Sequence, residues 1–492
     1  MQASQRAPLA APAESRGPGA RDSIPGGDPS HPALAHFSDG SLLDPQPREG
    51  FSPCLVRTNS RAGACPMAVA TARGNVFYSP AVAIPMMGCD LARSRDQGRS
   101  WQTIATPREP QYPPEDYLPP KTRALSPRDL EALSAELPRG CTWHPSVYLD
   151  RASGRLFASA TVKGACPDGS GSIVAFSDDE GDSWQSAAIG CGSWDWGKLW
   201  SGPPATDASR EALAKNGFPS VVYFSATGPV LIHGPNQLHF KSLDGGLSWT
   251  RMANAFTPEQ EQSLTLGFPQ RGVVAPDGTI YRAWAGTPAD YLPNADKSHV
   301  YIRMLRSRDE GASWQHLELP ETRTSLVGAS LAVDPDGTLY LCWADSRDGE
   351  IRIAWSRDGA RSWSNPRRLT IPGVAWVAKP TIELNGPGRI ALAFWGSPSA
   401  EAHGDGWWNR DGRPYSGYVS VCDDIRVEHP RLFSAAVNDV REPLLPLGES
   451  ALTSGEYIGP PSFGPDGSIW AGFVSLAGEN SGGLVARLVP QR

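Results

Sequence analysis

The sequence predicts an all-β fold, a β-propeller of four-stranded blades carrying short helical insertions. Three observations predict it. A tight-turn motif returns five times, a hairpin signal recurs between those turns, and the composition favours short strands over helices. The chain has 492 residues, with 51 Gly, 47 Pro and 17 Trp. That mixture fits many short strands joined by tight turns, with large aromatics wedged between sheets.

The turn motif is Ser-x-Asp-x-Gly-x-x-Trp. It stands at Ser94-Arg-Asp96-Gln-Gly98-Arg-Ser-Trp101 and returns from Ser177 to Trp184, Ser242 to Trp249 and Ser307 to Trp314. A fifth copy, Ser356 to Trp363, carries its glycine one place early, at Gly359. The Ser and Asp side chains are expected to bond back to backbone amides, and Gly to supply a positive φ. The Trp ring is expected to bury itself between sheets. Five copies at intervals of roughly 50 to 80 residues are a propeller-like period.

Hairpins interleave with these turns. Pro145-Ser-Val-Tyr-Leu-Asp150 leads to Gly154-Arg-Leu-Phe157, and Asp277-Gly278, Asp336-Gly337, Asn385-Gly386 and Asp466-Gly467 each sit between β-rich runs. Asp-Gly in that setting is a strong hairpin signal. Looser versions lie at Met67 to Tyr78 and at Pro219 to Ile232. An inner hairpin, a third strand, the turn motif and a fourth strand make one blade, and such radial repetition leaves only short edges. Seven hairpins favour seven blades, with six as the alternative. The last unit ends at Gly482 to Val489, so Cys54 to Arg57 is expected to supply its outermost strand and close the ring.

Helical signals are confined to insertions. Ser126-Pro127-Arg128-Asp129 caps a Leu-, Glu- and Ala-rich stretch, and a second runs from Asp207 to Asn216, stopped by Gly217. Residues 1–50 lack periodic hydrophobicity and read as a disordered lead-in, leaving 51–492 for the propeller. No signal-peptide core is visible in that lead-in. Six of the eight cysteines, Cys54, Cys65, Cys89, Cys141, Cys166 and Cys191, crowd the first half. That count suits two or three disulfides and a secreted or periplasmic protein, with buried free thiols as the other reading. The formal net charge of -7 comes without basic runs, which argues against a nucleic-acid partner. No apolar run nears the roughly 18 residues of a membrane span. No cofactor or metal motif is present.

Loop lengths give the ring two unlike faces. Hairpin turns and Ser-x-Asp turns share one face and are short. The other face collects long loops: Thr106 to Gly140, Ile189 to Gly217, Gly286 to Ser298 and Gly396 to Ser416. Function concentrates on irregular loops held by a rigid scaffold. Residues just before the inner strands should line that mouth: Trp143-His144, Phe218, Gln270-Arg271, Lys379 and Glu456-Tyr457. Arg347 and the indoles of Trp194, Trp196, Trp407 and Trp408 belong to loops of the same face. Exposed Trp rings suit the apolar faces of sugars, so carbohydrate is the expected partner.

The five turns resemble the Asp boxes of the sialidase-like superfamily, also called BNR-repeat proteins, over roughly residues 51 to 492. The resemblance implies a glycoside hydrolase acting on glycans, with exo-α-sialidase hydrolysis of an anionic sugar as the nearest model. It implies a tyrosine nucleophile activated by a glutamate, for which Tyr457 and Glu456 stand in the last unit. It also implies three arginines around a carboxylate, for which Arg57, Arg271 and Arg347 are available. The early Arg-Ile-Pro signature is replaced by Val56-Arg57-Thr58. Two other readings use the same face: a non-catalytic propeller that binds glycans or proteins, and a polysaccharide lyase with His144 and Tyr457 as base and acid.

Overall fold

A computed structural model describes residues 66–79, 91–107, 140–166, 169–191, 195–227, 237–257, 259–260, 264–266, 271–288, 300–401, 412–446, 458–477 and 482–490, with short strands at 33–34, 36–37 and 51–57. The helix expected after Ser126 lies outside the described residues.

The fold is all-β, built of antiparallel four-stranded sheets. Met67–Ala70, Val76–Ser79, Leu91–Ser94 and Gln102–Ile104 form one in chain order; strands within 140–191, 195–251 and 376–436 repeat the pattern. The 19-residue strand Gln315–Val333 fuses two such groups into one hydrogen-bonded sheet. It is the fourth strand of the group beginning at Val273–Val274 and the first of the group ending at Arg367–Thr370. The last sheet takes its outer strand from Phe51–Arg57, paired with Gly482–Pro490 in the register Leu55↔Ala486, as expected. Part of the lead-in also pairs: Ala33–Leu34 with Leu432–Ala436, and His36–Phe37 with Arg367–Thr370.

Apolar residues on both faces of each sheet fill the gaps between neighbours. Met67, Phe77 and Ile104 meet Val147 and Leu156; Phe157 and Phe176 meet Val222 and Phe224. Tyr281 and Met304 meet Leu331 and Leu341, Ile353 meets Leu392 and Tyr418, and Val421 meets Phe463 and Phe473. The last sheet returns to the first, where Trp470 and Val485 pack on Ala68 and Tyr78. The Tyr78 hydroxyl donates to Phe473 O at 2.9 Å across that seam. The sheets therefore follow one another around a closed hub, and burial of their facing apolar surfaces is the main favourable term.

All five Ser-x-Asp turns share one geometry. In the first, Ser94 Oγ donates to Asp96 Oδ1 at 2.8 Å and accepts from the Gly98 N–H at 2.7 Å, while the Ser100 N–H reaches Asp96 Oδ1 at 2.8 Å. Two consecutive residues are left-handed, not one: Gln97 and Gly98, Glu180 and Gly181, Gly245 and Gly246, Glu310 and Gly311, Gly359 and Ala360. The fifth copy has thus exchanged which of the two is glycine. The tryptophans are only partly buried, and Trp101, Trp184 and Trp249 each donate their indole N–H to the turn glycine at 3.1–3.2 Å.

The first left-handed residue grips the preceding sheet. Glu180 accepts from Thr71 Oγ1 at 3.1 Å and from Asn75. Gly245 O accepts from Arg155 at 2.7 Å, and Gln97 accepts from Arg487 at 3.0 Å. These bonds join Ser-x-Asp turns to hairpin turns, so both kinds share one end of the hub. Hydroxyl and amide donors hold the Asp96 and Asp179 carboxyls down to about 2. Because the folded values lie below the unfolded one near 4, this stabilisation is complete above pH ~4 and is lost as pH falls toward ~2. Unfolding followed by tryptophan fluorescence should show stability declining across that window. A flat profile between pH 5 and 2 would contradict the turn geometry.

One unit departs from expectation. Its inner strand is Asp195–Gly202, not a strand after Phe218, and the helix Asp207–Asn216 connects it to Val221–Thr227. The insertion therefore lies at the turn end, not among the long loops of the other face. Phe218 is buried beneath Gly245, its ring 4.9 Å from the Arg155 guanidinium, and faces no mouth. Thr206 caps the helix by accepting from the Ser209 N–H at 3.2 Å. Among the described residues no helix is long and apolar enough to cross a membrane.

Candidate functional site

Hairpin turns give a common ruler along the inner strands. The turn-closing residues Asp150, Ala275, Asp334, Asn385 and Gly464 are equivalent, each donating its N–H across its own hairpin turn. Counting back six residues from Asp150 and Asn385 reaches His144 and Lys379. Both precede a proline, and both sit where the strand register slips, between Trp143 and Ser146 and between Ala378 and Thr381. Such bulges re-aim side chains. Lys379 is 3% exposed and holds a left-handed backbone, φ 54°. That conformation costs a bulky residue of order 1 kcal/mol and concentrates at functional sites. Six residues before Gly464 is Ile458, fully buried. Gly459 beside it donates to Pro66 O at 2.8 Å and accepts from Thr381 Oγ1 at 3.3 Å, tying three sheets together at this height.

Glu456, Tyr457, Trp194, Trp407 and Trp408 lie outside the described residues, as do the side chains of His144, Arg57 and Trp196. The side chains of the six early cysteines also lie outside the described set; of the described cysteine side chains, Cys342 and Cys422 are buried free thiols. Among the described residues no group of three or more His, Cys, Asp or Glu could hold a metal ion.

The structure does not gather Arg57, Arg271 and Arg347. Arg57 is on the outermost strand of its sheet, paired with Leu484, the radial position farthest from the hub. Arg347, half exposed, folds back on Asp345 of its own loop, its Nε 2.8 Å from Oδ1. Arg271 is four residues from its hairpin turn, deeper than the mouth where it was expected. It forms an ion pair with Glu383, two four-stranded groups farther around the ring.

That pair belongs to a cavity of about 400 Å³ at the turn end of the hub, whose rim includes the exposed turn residues Arg151 and Ala152. Tyr148 and Ser201 lie on neighbouring sheets, their hydroxyls 2.7 Å apart, and Ser201 donates to Asp150 Oδ1 at 2.6 Å. Asp150 is buried and also accepts from Ser220 Oγ at 3.1 Å and the Ser153 N–H at 3.0 Å. Burial, then the nearby Asp150 charge, push the Tyr148 hydroxyl up to about 12. It therefore stays neutral at physiological pH and acts as a hydrogen-bonding group. Arg151 reaches across the hub to Phe463 O at 3.4 Å.

Behind Trp200 lies a buried polar cluster. Arg282, fully buried with its guanidinium 5.1 Å from the Trp200 ring, donates to Ser225 Oγ at 3.0 Å and faces His239 Nδ1 at 2.8 Å. Burial, and then Arg282 itself, hold His239 well below its ordinary value, so the ring is neutral and can accept from the guanidinium. Sequence reasoning missed Tyr148 and Glu383. The only signal was their position: two residues before the turn residue, a polar group within an otherwise apolar run.

No family model matches the chain. A sialidase of Bacteroides fragilis (strain YCH46) is 27% identical over 126 residues, which are 25% of this chain and 22% of that protein. The chain spans about a fifth of the length of that sialidase. Among solved structures, this chain is similar to a protein of unknown function from Dyadobacter fermentans DSM 18053, with TM-score 0.42, 11% identity and coverage of 89% of this chain and 98% of that one. It is also similar to a Hadza microbial sialidase, with TM-score 0.41, 16% identity and coverage of 68% and 63%. A third is the GH93 α-L-arabinofuranosidase of Fusarium graminearum in complex with arabinobiose, with TM-score 0.43, 13% identity and coverage of 75% and 97%.

Proposed function

We propose that this chain is a secreted sialidase-like glycoside hydrolase acting on glycans, a seven-bladed propeller whose reaction takes place at the loop-bearing end of the hub. Seven counts the fused sheet as two blades. Tyr457 is the nucleophile and Glu456 the base that activates it. Lys379 and His144 contact the substrate, and Trp194, Trp407 and Trp408 offer platforms for sugar rings. The observation that supports this most is the buried, left-handed Lys379, at the same height as His144 and as Ile458, the residue that follows Tyr457. A cation held there at a bulge has been aimed by the fold rather than left on a solvated edge.

The scatter of Arg57, Arg271 and Arg347 argues against a carboxylate clamp built from those three. We therefore propose hydrolysis of glycosidic bonds and leave sialic acid as one substrate among those to be tried. The experiment is a panel of 4-methylumbelliferyl glycosides that includes the α-sialoside and α-L-arabinofuranoside. At least one should be turned over, and Lys379→Gly, which tolerates the left-handed backbone, should lower kcat/KM by about tenfold or more. Glycan-array binding with no turnover would instead favour the non-catalytic propeller, and new ultraviolet absorbance from unsaturated sugar ends would favour the lyase.

A further inference from the structure

We propose that the cavity at the turn end of the hub is a second carbohydrate site, which takes one neutral sugar unit. Its charges decide the class of ligand. Arg271 is matched by Glu383, and Asp150 is matched by three donors from Ser201, Ser220 and Ser153. An anion would meet two carboxylates and a cation would meet Arg271 and Arg151, so a neutral ligand suits the lining best. The wall is two-sided. Val273, Val274 and Val333 present apolar surface, while the Arg271–Glu383 pair and the Tyr148 and Ser201 hydroxyls present donors and acceptors. A pyranose has the same division, with a C–H face and an edge of hydroxyls, and a guanidinium beside a carboxylate offers a donor and an acceptor to adjacent hydroxyls.

The lining also holds a donor that a ligand hydroxyl can take up. The Trp200 indole N–H, in the lining of the same cavity, is buried and has no hydrogen-bond partner among the described residues. A buried donor left unmatched is costly, and a ligand hydroxyl or a water is what would satisfy it. The volume of about 400 Å³ lies in the range of small-ligand pockets.

Saturation-transfer NMR tests this on the full chain, using the methyl glycosides of glucose, galactose, mannose, arabinose and N-acetylglucosamine, with glycerol alongside. At least one glycoside should respond well above glycerol. The response should fall about tenfold, the worth of a lost polar contact or two, in the double variant Arg271→Met/Glu383→Met. That variant removes both charges together and leaves neither buried alone. Ser201→Ala, a smaller change, should weaken binding in the same direction, and Tyr457→Phe should leave it unchanged. That last arm separates this site from the loop-end reaction. Response from no glycoside, response no greater than glycerol, or a response unaltered in both the double variant and Ser201→Ala would overturn the proposal.

Discussion

Glu310→Ala should cost the folded protein about 3 to 5 kcal/mol, the scale for breaking a buried charged network by removing one partner. Glu310 is 1% exposed. Its carboxylate accepts from the Ala205 N–H at 2.9 Å, the Thr206 N–H at 3.1 Å, the Ser209 hydroxyl and the Lys241 ammonium at 2.9 Å. Truncation leaves the buried Ser209 hydroxyl, the partly buried Ala205 and Thr206 amides and the partly buried Lys241 ammonium without this acceptor. Burial pushes the Glu310 carboxyl up, but Ser209 and Lys241 outweigh it and hold the group below its ordinary value. The stabilisation is therefore complete above pH ~4.3 and is lost as pH falls through the lower folded value. Urea unfolding of wild type and variant should give a gap that is widest near neutrality and narrows in acid. A gap under about 1 kcal/mol at pH 7 would contradict the geometry. The effect bears on the hub cavity as well, since Pro203 and Ser220, which flank the clamped helix, line it.

Those same contacts show what the sequence could and could not reveal. The five Ser-x-Asp turns and the Asp-Gly hairpins were legible because their chemistry is local: each turn is closed by its own side chains. The closing strand was legible in part, expected at Cys54 to Arg57 and found at Phe51–Arg57. The helix Asp207–Asn216 was read as a helix stopped by Gly217, yet assigned to the wrong end of the ring. Nothing local states that Asp195–Gly202 is an inner strand, because no Asp-Gly turn follows it. Arg271 and Glu383 are 112 residues apart in the chain. Only the ring brings them together, so a reading by loops placed Arg271 at the mouth and overlooked its partner. Lys379 was identified by its place just before an inner strand, whereas its left-handed backbone and burial are visible only in three dimensions.

Tyr457→Phe should lower kcat/KM on the hydrolysed glycoside on the order of 10^3-fold or more, the scale for removing a nucleophile that acts with its base. Phenylalanine keeps the ring and loses only the oxygen that attacks. Glu456→Gln should lose activity by a similar factor, as expected of two residues that act as one unit. Tyr148→Phe should leave the rate within a few-fold of wild type, since its hydroxyl is neutral and committed to Ser201. Initial rates, with far-ultraviolet circular dichroism of each variant as the folding control, separate the two tyrosines.

A glycosyl-enzyme intermediate provides the sharpest comparison between the two ends of the hub. A 2-deoxy-2-fluoro glycosyl fluoride of the hydrolysed sugar should trap that intermediate, and peptide mass spectrometry should place the label on Tyr457. A label on Tyr148, or turnover of the substrate with no residue labelled, would contradict an account in which the loop-bearing end carries the reaction.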